Sequence, residues 1–169
     1  MMIISPLSRL PELQAEGGLA RAISLLAPGA EFPDLGLADE NHLKLAFHDI
    51  TQEREGYFAP EARHIQQVFD FVDKWDGSGR LLVHCFAGVS RSTAIGYALA
   101  CKAQPFEKEE EIAARWRDFS PEATPNLRLI GFADAILGRN GRMIAAISGL
   151  GRGIDCFEGS VVRWNLPNS

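Results

Sequence analysis

The sequence predicts an α/β fold: a single layered domain over residues 1–169, with a central, mostly parallel or mixed sheet of about four or five strands flanked by helices. Three observations predict it. Short strand-like runs alternate along the chain with segments of helical periodicity. The 169 residues leave room for little more than one core, since domains most often hold roughly 100–150 residues. The composition, 46% hydrophobic and 23% charged, is that of a globular chain and excludes disorder as a description of the whole.

The elements follow in order. Residues 1–4 form a short apolar strand, and Pro11–Glu16 a short helix closed by Gly17-Gly18. Arg21–Leu26 reads as a buried strand, and the Gly/Pro/Asp-rich stretch Ala27–Asp39 as a surface loop. Leu43, Leu45 and Phe47 alternate with Lys44, Ala46 and His48, the period of a strand with one buried face. Asp49 to Gly56 is polar. Between Glu61 and Trp75 the residues Ile65, Val68, Phe69, Val72 and Trp75 recur at three- and four-residue steps, giving an amphipathic helix that ends before Gly77-Ser78-Gly79. Leu81–Val83 is a central strand. Ser92–Lys102, apolar on nearly every side, is a buried helix, and Ile112, Ala113 and Trp116 mark another. Thr124-Pro125 is expected to cap and open one more helix, with Leu129, Ile130, Ala133, Ile136 and Leu137 inside and Gly138 as its stop. Gly/Arg-rich turns are expected beyond Gly138, with Gly149–Gly153 a flexible loop and a last strand at Val161–Trp164.

Charge and cysteine content exclude several classes. Seventeen basic against 22 acidic residues leave a net charge of −5, which argues against nucleic acid or an anionic membrane as partner. Cys85, Cys101 and Cys156 are too few and too scattered for a disulfide framework or a CxxC metal site. No window approaches a membrane span, and the first residues lack the basic start and long apolar stretch of a signal peptide. A cytoplasmic protein in a reducing compartment is therefore expected. His42, His48 and His64 share no metal-ligand spacing, so no metal is expected, and they read as surface or satisfied side chains.

The chemistry lies in Leu81-Leu82-Val83-His84-Cys85-Phe86-Ala87-Gly88-Val89-Ser90-Arg91-Ser92-Thr93. A cysteine ends a strand, five small or apolar residues follow, and an arginine and a serine open a helix. Backbone N–H groups of such a loop converge on one point, and the helix dipole adds positive potential there. Gly88 permits a crowded or left-handed backbone. Arg91 offers a planar fork for two phosphate oxygens. The same field favours thiolate at Cys85, because cysteines at helix N-termini ionise at roughly 3.5–7.5 instead of about 8.5. An ionised nucleophile beneath a held phosphorus atom is arranged for in-line displacement. The alternative is an inert buried cysteine, a loop glycine and a surface cation. It leaves the conjunction of all these features at one strand–loop–helix junction to coincidence.

His84-Cys85, five residues, then Arg91-Ser92 resembles the signature loop of the cysteine-dependent protein tyrosine phosphatases. In so short a chain it resembles their compact dual-specificity branch, and specifically bacterial tyrosine-phosphatase-like proteins. The similarity runs from about Leu43 to Leu137. It includes Thr124-Pro125-Asn126, which is similar to the Ser-Pro-Asn step before the last core helix of dual-specificity enzymes. The resemblance implies a phosphatase-like fold and no cofactor. It implies that Cys85 attacks phosphorus and carries a phosphocysteine, and that Arg91 binds the equatorial oxygens. Amides from Phe86, Ala87, Gly88, Val89, Ser90 and Arg91 would complete the binding loop, and His84 would orient it. Ser92 would donate to the departing sulfur.

A poor leaving group needs a proton as the P–O bond breaks, and a placed carboxylic acid typically contributes about 10²–10⁴ in rate. The family places an aspartate on a loop after an upstream strand. Asp49 fits that description. It lies 36 residues before Cys85, a longer interval than usual in the family, and Glu53 and Glu55 lie closer to it. Asp70, Asp73 and Asp76 fall on the outer face or end of their helix and are expected to be solvated. Cys101 is expected in the core, and Asn126 is expected to fix a neighbouring loop.

The leading reading is a phosphomonoesterase acting on phosphotyrosine protein, with phosphoserine and phosphothreonine depending on pocket depth. A phosphoinositide or other small phosphate ester is less favoured, because the loop has no lysine; Arg139, Arg142 and Arg152 could supply charge to the rim. Two readings from other classes remain beside it: a non-catalytic module that captures phosphorylated partners, and a rhodanese or arsenate-reductase type enzyme.

Overall fold

In the computed structural model, which describes residues 1–167, the sheet comprises β1 (Met2–Pro6), β2 (Leu19–Leu26), β3 (His42–Ala46), β4 (Arg80–Cys85) and β5 (Val162–Trp164). Their order is β3-β2-β4-β1-β5. The first four run parallel and β5 closes the edge antiparallel to β1. The mixed α/β sheet expected from sequence is thus present. Ile23 lies opposite both Leu43 and Val83, and Ile4 opposite Val83, so the middle strands share one apolar stripe.

Strand alternation divides that sheet into two cores. Met2, Ile4, Ile23, Leu25, Leu81, Val83 and Cys85 face the larger one. It is covered by α2 (Ala62–Asp73), α3 (Arg91–Ala103), α4 (Glu109–Phe119), α5 (Leu127–Ile136) and α6 (Arg142–Leu150). Ile3, Ala22 and Leu82 face the other way, under Leu10 and Leu13 of α1 (Leu10–Ala15) and Leu35 of the long loop. The helix α3 is buried from Arg91 to Cys101, which explains its apolar character all round. It approaches the sheet closely at Gly96, where a Cβ would fall 2.5 Å from Trp116 and 2.6 Å from Ile4.

Several boundaries differ from the sequence reading. Thr124-Pro125 precedes α5 without capping it. The N-cap is Asn126, whose Oδ1 accepts from the amides of Arg128 at 3.0 Å and Leu129 at 3.2 Å. The turns expected beyond Gly138 give way to α6, and Gly149-Leu150 is its last turn. Only Met143 and Ile147 of α6 are buried, too sparse a stripe to signal a helix. Its start is held by Asp134, whose carboxylate accepts from the amides of Gly141 and Met143. The strand β2 begins earlier than Arg21, at Leu19, and Trp164 of β5 packs on Trp116 at 5.0 Å between ring centroids. Among the described residues no helix is long and apolar enough to cross a membrane.

All four parallel strands end at the same edge of the sheet, the edge at which open α/β sheets bind ligands. The last residue of β4 there is Cys85.

Candidate active site

Cys85 is 2% exposed, and its Sγ lies 3.2 Å from the Ser92 hydroxyl. It also accepts from the Gly88 amide at 3.2 Å. The segment from Phe86 to Ser90 wraps this sulfur, and its carbonyls are tied outward. Phe86 O accepts from Leu7 N at 3.0 Å, Ala87 O from Gly159 N at 2.8 Å, and Val89 O from Thr124 N at 2.9 Å. Ser90 O accepts from Ala94 N and Asn126 N. In a trans peptide C=O and N–H point in opposite directions. Anchoring these carbonyls outside therefore turns the following amides toward the interior of the loop. The result is a nest of N–H groups at the start of α3, where the helix dipole reinforces it.

Gly88 makes this path possible. Its φ is +70°, and a Cβ would fall 2.6 Å from the Pro6 nitrogen. Both the left-handed backbone and the contact with β1 exclude a side chain. Thr93 closes the helix start by donating from Oγ1 to Val89 O at 2.5 Å and Ser90 O at 2.9 Å.

Arg91 is buried, 7% exposed, and donates from Nη1 to Phe47 O at 3.0 Å. Its Nε has no hydrogen-bond partner among the described residues. A buried guanidinium with one donor committed and another without a partner has the chemistry to hold an anion.

His84 is fully buried on the face of the sheet opposite Cys85. Its Nε2 lies 2.6 Å from Ser24 Oγ, which lies 2.7 Å from His42 Nε2. Burial drives the His84 ring down to about 4, against the pull of the Cys85 main chain, which favours a proton on it. His42 is also lowered by burial. The expected surface or satisfied histidines resolve into three environments. His42 joins this buried chain, His64 stacks on Phe47, and His48 accepts from the Phe58 amide at 3.0 Å.

Asp49 follows β3 and stands against the loop that wraps Cys85. Its Oδ1 accepts from Ser90 Oγ at 2.8 Å and Asn126 Nδ2 at 2.7 Å. His48 and Phe58 close the base of the loop that Asp49 opens, and Arg128 pins it by donating to Pro60 O and pairing with Glu53 at 3.1 Å. Glu53 is thus engaged with α5, whereas Asp49 is the carboxylate in contact with the wrapped loop. The cleft beside them holds about 630 Å³ and is lined by Asp49, Arg54, Ser90, Pro125 and Asn126.

One sequence expectation is corrected at the rim. Arg139 and Arg142 do not reach the site: both hold the Glu109 carboxylate at 3.0 Å, and Arg139 also donates to Cys101 O. Arg152 pairs with Asp155. Cys101 is buried in α3, and burial raises its thiol to about 12. The outer anchors Leu7, Thr124 and Gly159 were missed, because each acts through its backbone and leaves no side-chain signature. Among the described residues no group of three or more His, Cys, Asp or Glu side chains is placed to hold a metal ion.

No protein-family model and no curated protein matches the chain. Solved structures do. The structure of DUSP15 superposes with a TM-score of 0.62 at 19% identity, over 88% of this chain and 89% of that one. PTP-2 phosphatase of Cydia pomonella gives 0.61 at 15% identity, over 79% and 84%. Human tyrosine phosphatase-like serine/threonine/tyrosine-interacting protein gives 0.57 at 21% identity, over 80% and 87%. With five strands in this order and a cysteine loop between β4 and α3, the chain has the fold of the cysteine-dependent tyrosine and dual-specificity phosphatases.

Proposed function

We propose that this protein is a phosphomonoesterase that hydrolyses phosphotyrosine in proteins, or a related aryl phosphate, through a cysteinyl-phosphate. One observation carries the reading: the Gly88 amide donates to the Cys85 sulfur within a loop whose carbonyls are tied outward, and that loop runs into the buried Arg91, whose Nε has no hydrogen-bond partner among the described residues. The deprotonated sulfur attacks phosphorus in line with the leaving oxygen. Arg91 and the loop amides hold the three equatorial oxygens as charge spreads over them. Asp49 gives its proton to the leaving oxygen as the P–O bond breaks. Its carboxylate then takes a proton from the water that attacks the phosphocysteine. The S–P bond breaks, phosphate leaves, and the Ser92 hydroxyl donates to the returning sulfur.

The surroundings support this substrate class. Residues 86–90 contain no lysine to meet additional phosphates, while Phe86 is 62% exposed immediately after the nucleophile. Tyr57 and Phe58 are exposed on the loop that Asp49 opens. These apolar surfaces suit an aromatic ring better than a polyphosphorylated headgroup. Such a substrate belongs in the cytoplasm, where phosphoproteins occur.

The test is hydrolysis of p-nitrophenyl phosphate in EDTA. Turnover that disappears in Cys85→Ser supports the reading. Tight binding of the ester by the wild-type protein without turnover would instead make it a capture module.

A further inference from the structure

Beneath the cysteine loop the smaller face of the sheet changes character. Toward the starts of the strands it is apolar, with Ile3, Ala22 and Leu82. One step further along it is polar, with Ser5, Ser24 and His84 side by side and all 0% exposed. His42, 7% exposed, completes the group from β3. Burying polar side chains costs stability unless each finds a partner, and an apolar set would pack here without that requirement. A polar chain ending at the residue before the nucleophile calls for a role.

The hydrogen bonds define one. Ser24 Oγ sits between two ring nitrogens, 2.6 Å from His84 Nε2 and 2.7 Å from His42 Nε2. A hydroxyl has one proton, so it donates to one ring and accepts from the other. The remaining nitrogen of His84, Nδ1, is buried and has no hydrogen-bond partner among the described residues. A neutral His84 with its proton on Nδ1 leaves Nε2 as the acceptor, and Ser24 then donates to Nε2 and accepts from His42 Nε2–H.

We propose that His42 and Ser24 form a relay, His42 Nε2–H to Ser24 Oγ–H to His84 Nε2, that holds the His84 ring with its proton on Nδ1 and so positions the main chain at Cys85. Neither residue touches substrate; both are positioning residues. The ring of His84 is fixed from behind by the relay, on the residue that precedes Cys85 in the chain. An untethered ring could exchange tautomers and take its proton away from Nδ1. His42 is faced by Lys44 on its own strand and by Asp34 and Asp39 from the preceding loop, which place its outer edge in a polar setting.

The consequence for rate rests on the phosphatase reading above, whereas the tautomer does not, so the two can fail separately. Nitrogen-15 imidazole spectra of the full chain at neutral pH read the tautomer directly. The expected pattern is a protonated Nδ1 and an acceptor Nε2 on His84. Ser24→Ala should mix the tautomers and lower kcat for p-nitrophenyl phosphate about tenfold, the effect of one lost hydrogen bond, with KM little changed. His42→Leu should act in the same direction, and His42→Gln, which keeps a side-chain N–H, should restore most of the rate. The double variant Ser24→Ala/His42→Leu should be no slower than Ser24→Ala, because both break one chain. A wild-type His84 protonated on Nε2 overturns the relay, as does a wild-type kcat in Ser24→Ala and His42→Leu. If Ser24→Ala does not fold, the wild-type spectrum and the two His42 variants decide. A wild-type protein without turnover but with the expected tautomer removes the phosphatase reading and leaves the relay standing.

Discussion

Asn126 Nδ2 donates to Asp49 Oδ1 at 2.7 Å while Asn126 Oδ1 caps α5, so one amide joins the loop after β3 to the helix beside the cysteine loop. The two functions can be separated. Asn126→Ser keeps an N-cap oxygen but loses the amide N–H that reaches Asp49, whereas Asn126→Ala loses both. In Asn126→Ala the lost cap should cost about 1 kcal/mol of stability. Asn126→Ser should unfold near the wild-type temperature yet turn over aryl phosphate several-fold more slowly. Thermal melts and steady-state kinetics on the two variants check this; equal rates in wild type and Asn126→Ser would free Asp49 of that tether.

Asp49 itself should behave as an acid that serves the leaving group. Asp49→Asn should lower kcat for an ester with a poor leaving group by about 10²-fold, within the usual span for a general acid. An ester with a very acidic leaving phenol needs no such proton and should lose much less. Phosphate affinity should hold, since Arg91 and the amides are intact. A uniform loss across leaving groups would point away from proton transfer, and an unchanged rate would move the acid to Glu53 or Glu55.

Gly88 is where backbone geometry and chemistry meet. Gly88→Ala imposes a side chain at φ +70° and drives its Cβ against Pro6 of β1. The left-handed backbone alone costs about 1–2 kcal/mol, and the clash adds to it. Relief requires the loop to shift, which moves the amide that now reaches Cys85 Sγ. Binding of vanadate or phosphate should weaken more than tenfold, measured by inhibition or calorimetry on protein that remains folded.

Sequence legibility followed the physics of each element. Of the parallel strands, β3 was readable from its alternation and β1, β2 and β4 from short apolar runs buried on both faces, while α2 showed its 3.6-residue period. Cys85, Gly88 and Arg91 stood out because they fall together at one strand–loop–helix junction, whereas Asp49 was picked by its place after an upstream strand, with Glu53 and Glu55 beside it as alternatives. The helix α6 did not stand out, since its hold on the fold comes through Asp134 and the two residues Met143 and Ile147. The residues after it, 151–160, were illegible for a different reason. Gly159 N reaches Ala87 O, Gly153 N reaches Thr124 Oγ1, and Glu122 accepts from the Ser160 amide. Main-chain donors make these contacts, and any non-proline residue has one.

That last segment gives a prediction of its own. The Arg117 guanidinium donates to the carbonyls of Ala123 and Gly151, with longer contacts to Leu150 and Arg152. It thereby fixes the start of the strap that ends on the cysteine loop. Arg117→Met keeps the apolar stem and removes the donors. Hydrogen exchange should rise in residues 151–160 and then at Ala87–Gly88, while the amides of β2 and β4 stay protected. Protection unchanged at Ala87–Gly88 would show that the strap does not support the loop.

Acid should destabilise the fold through histidines held neutral. Burial lowers His42 and His64, and takes His84 from 6.5 to about 4. The unfolded chain, with ordinary rings, binds more protons than the native one between those values, so stability rises with pH across that window. For His84 alone the shift corresponds to about 3 kcal/mol, fully present above pH 6.5 and lost as pH falls toward 4. Urea unfolding at steps from pH 7.5 to 4.5 should show a flat upper range and then a falling midpoint, with proton uptake on unfolding. Carboxylates whose values are lowered, such as Glu109 and Glu122, lose their contribution only further down, below the unfolded carboxylate range. Their effect is therefore separable from that of the histidines. A midpoint that stays level from pH 7 to 5 would mean that these rings take up protons in the folded state at ordinary pH, and the polar chain under Cys85 would not be neutral.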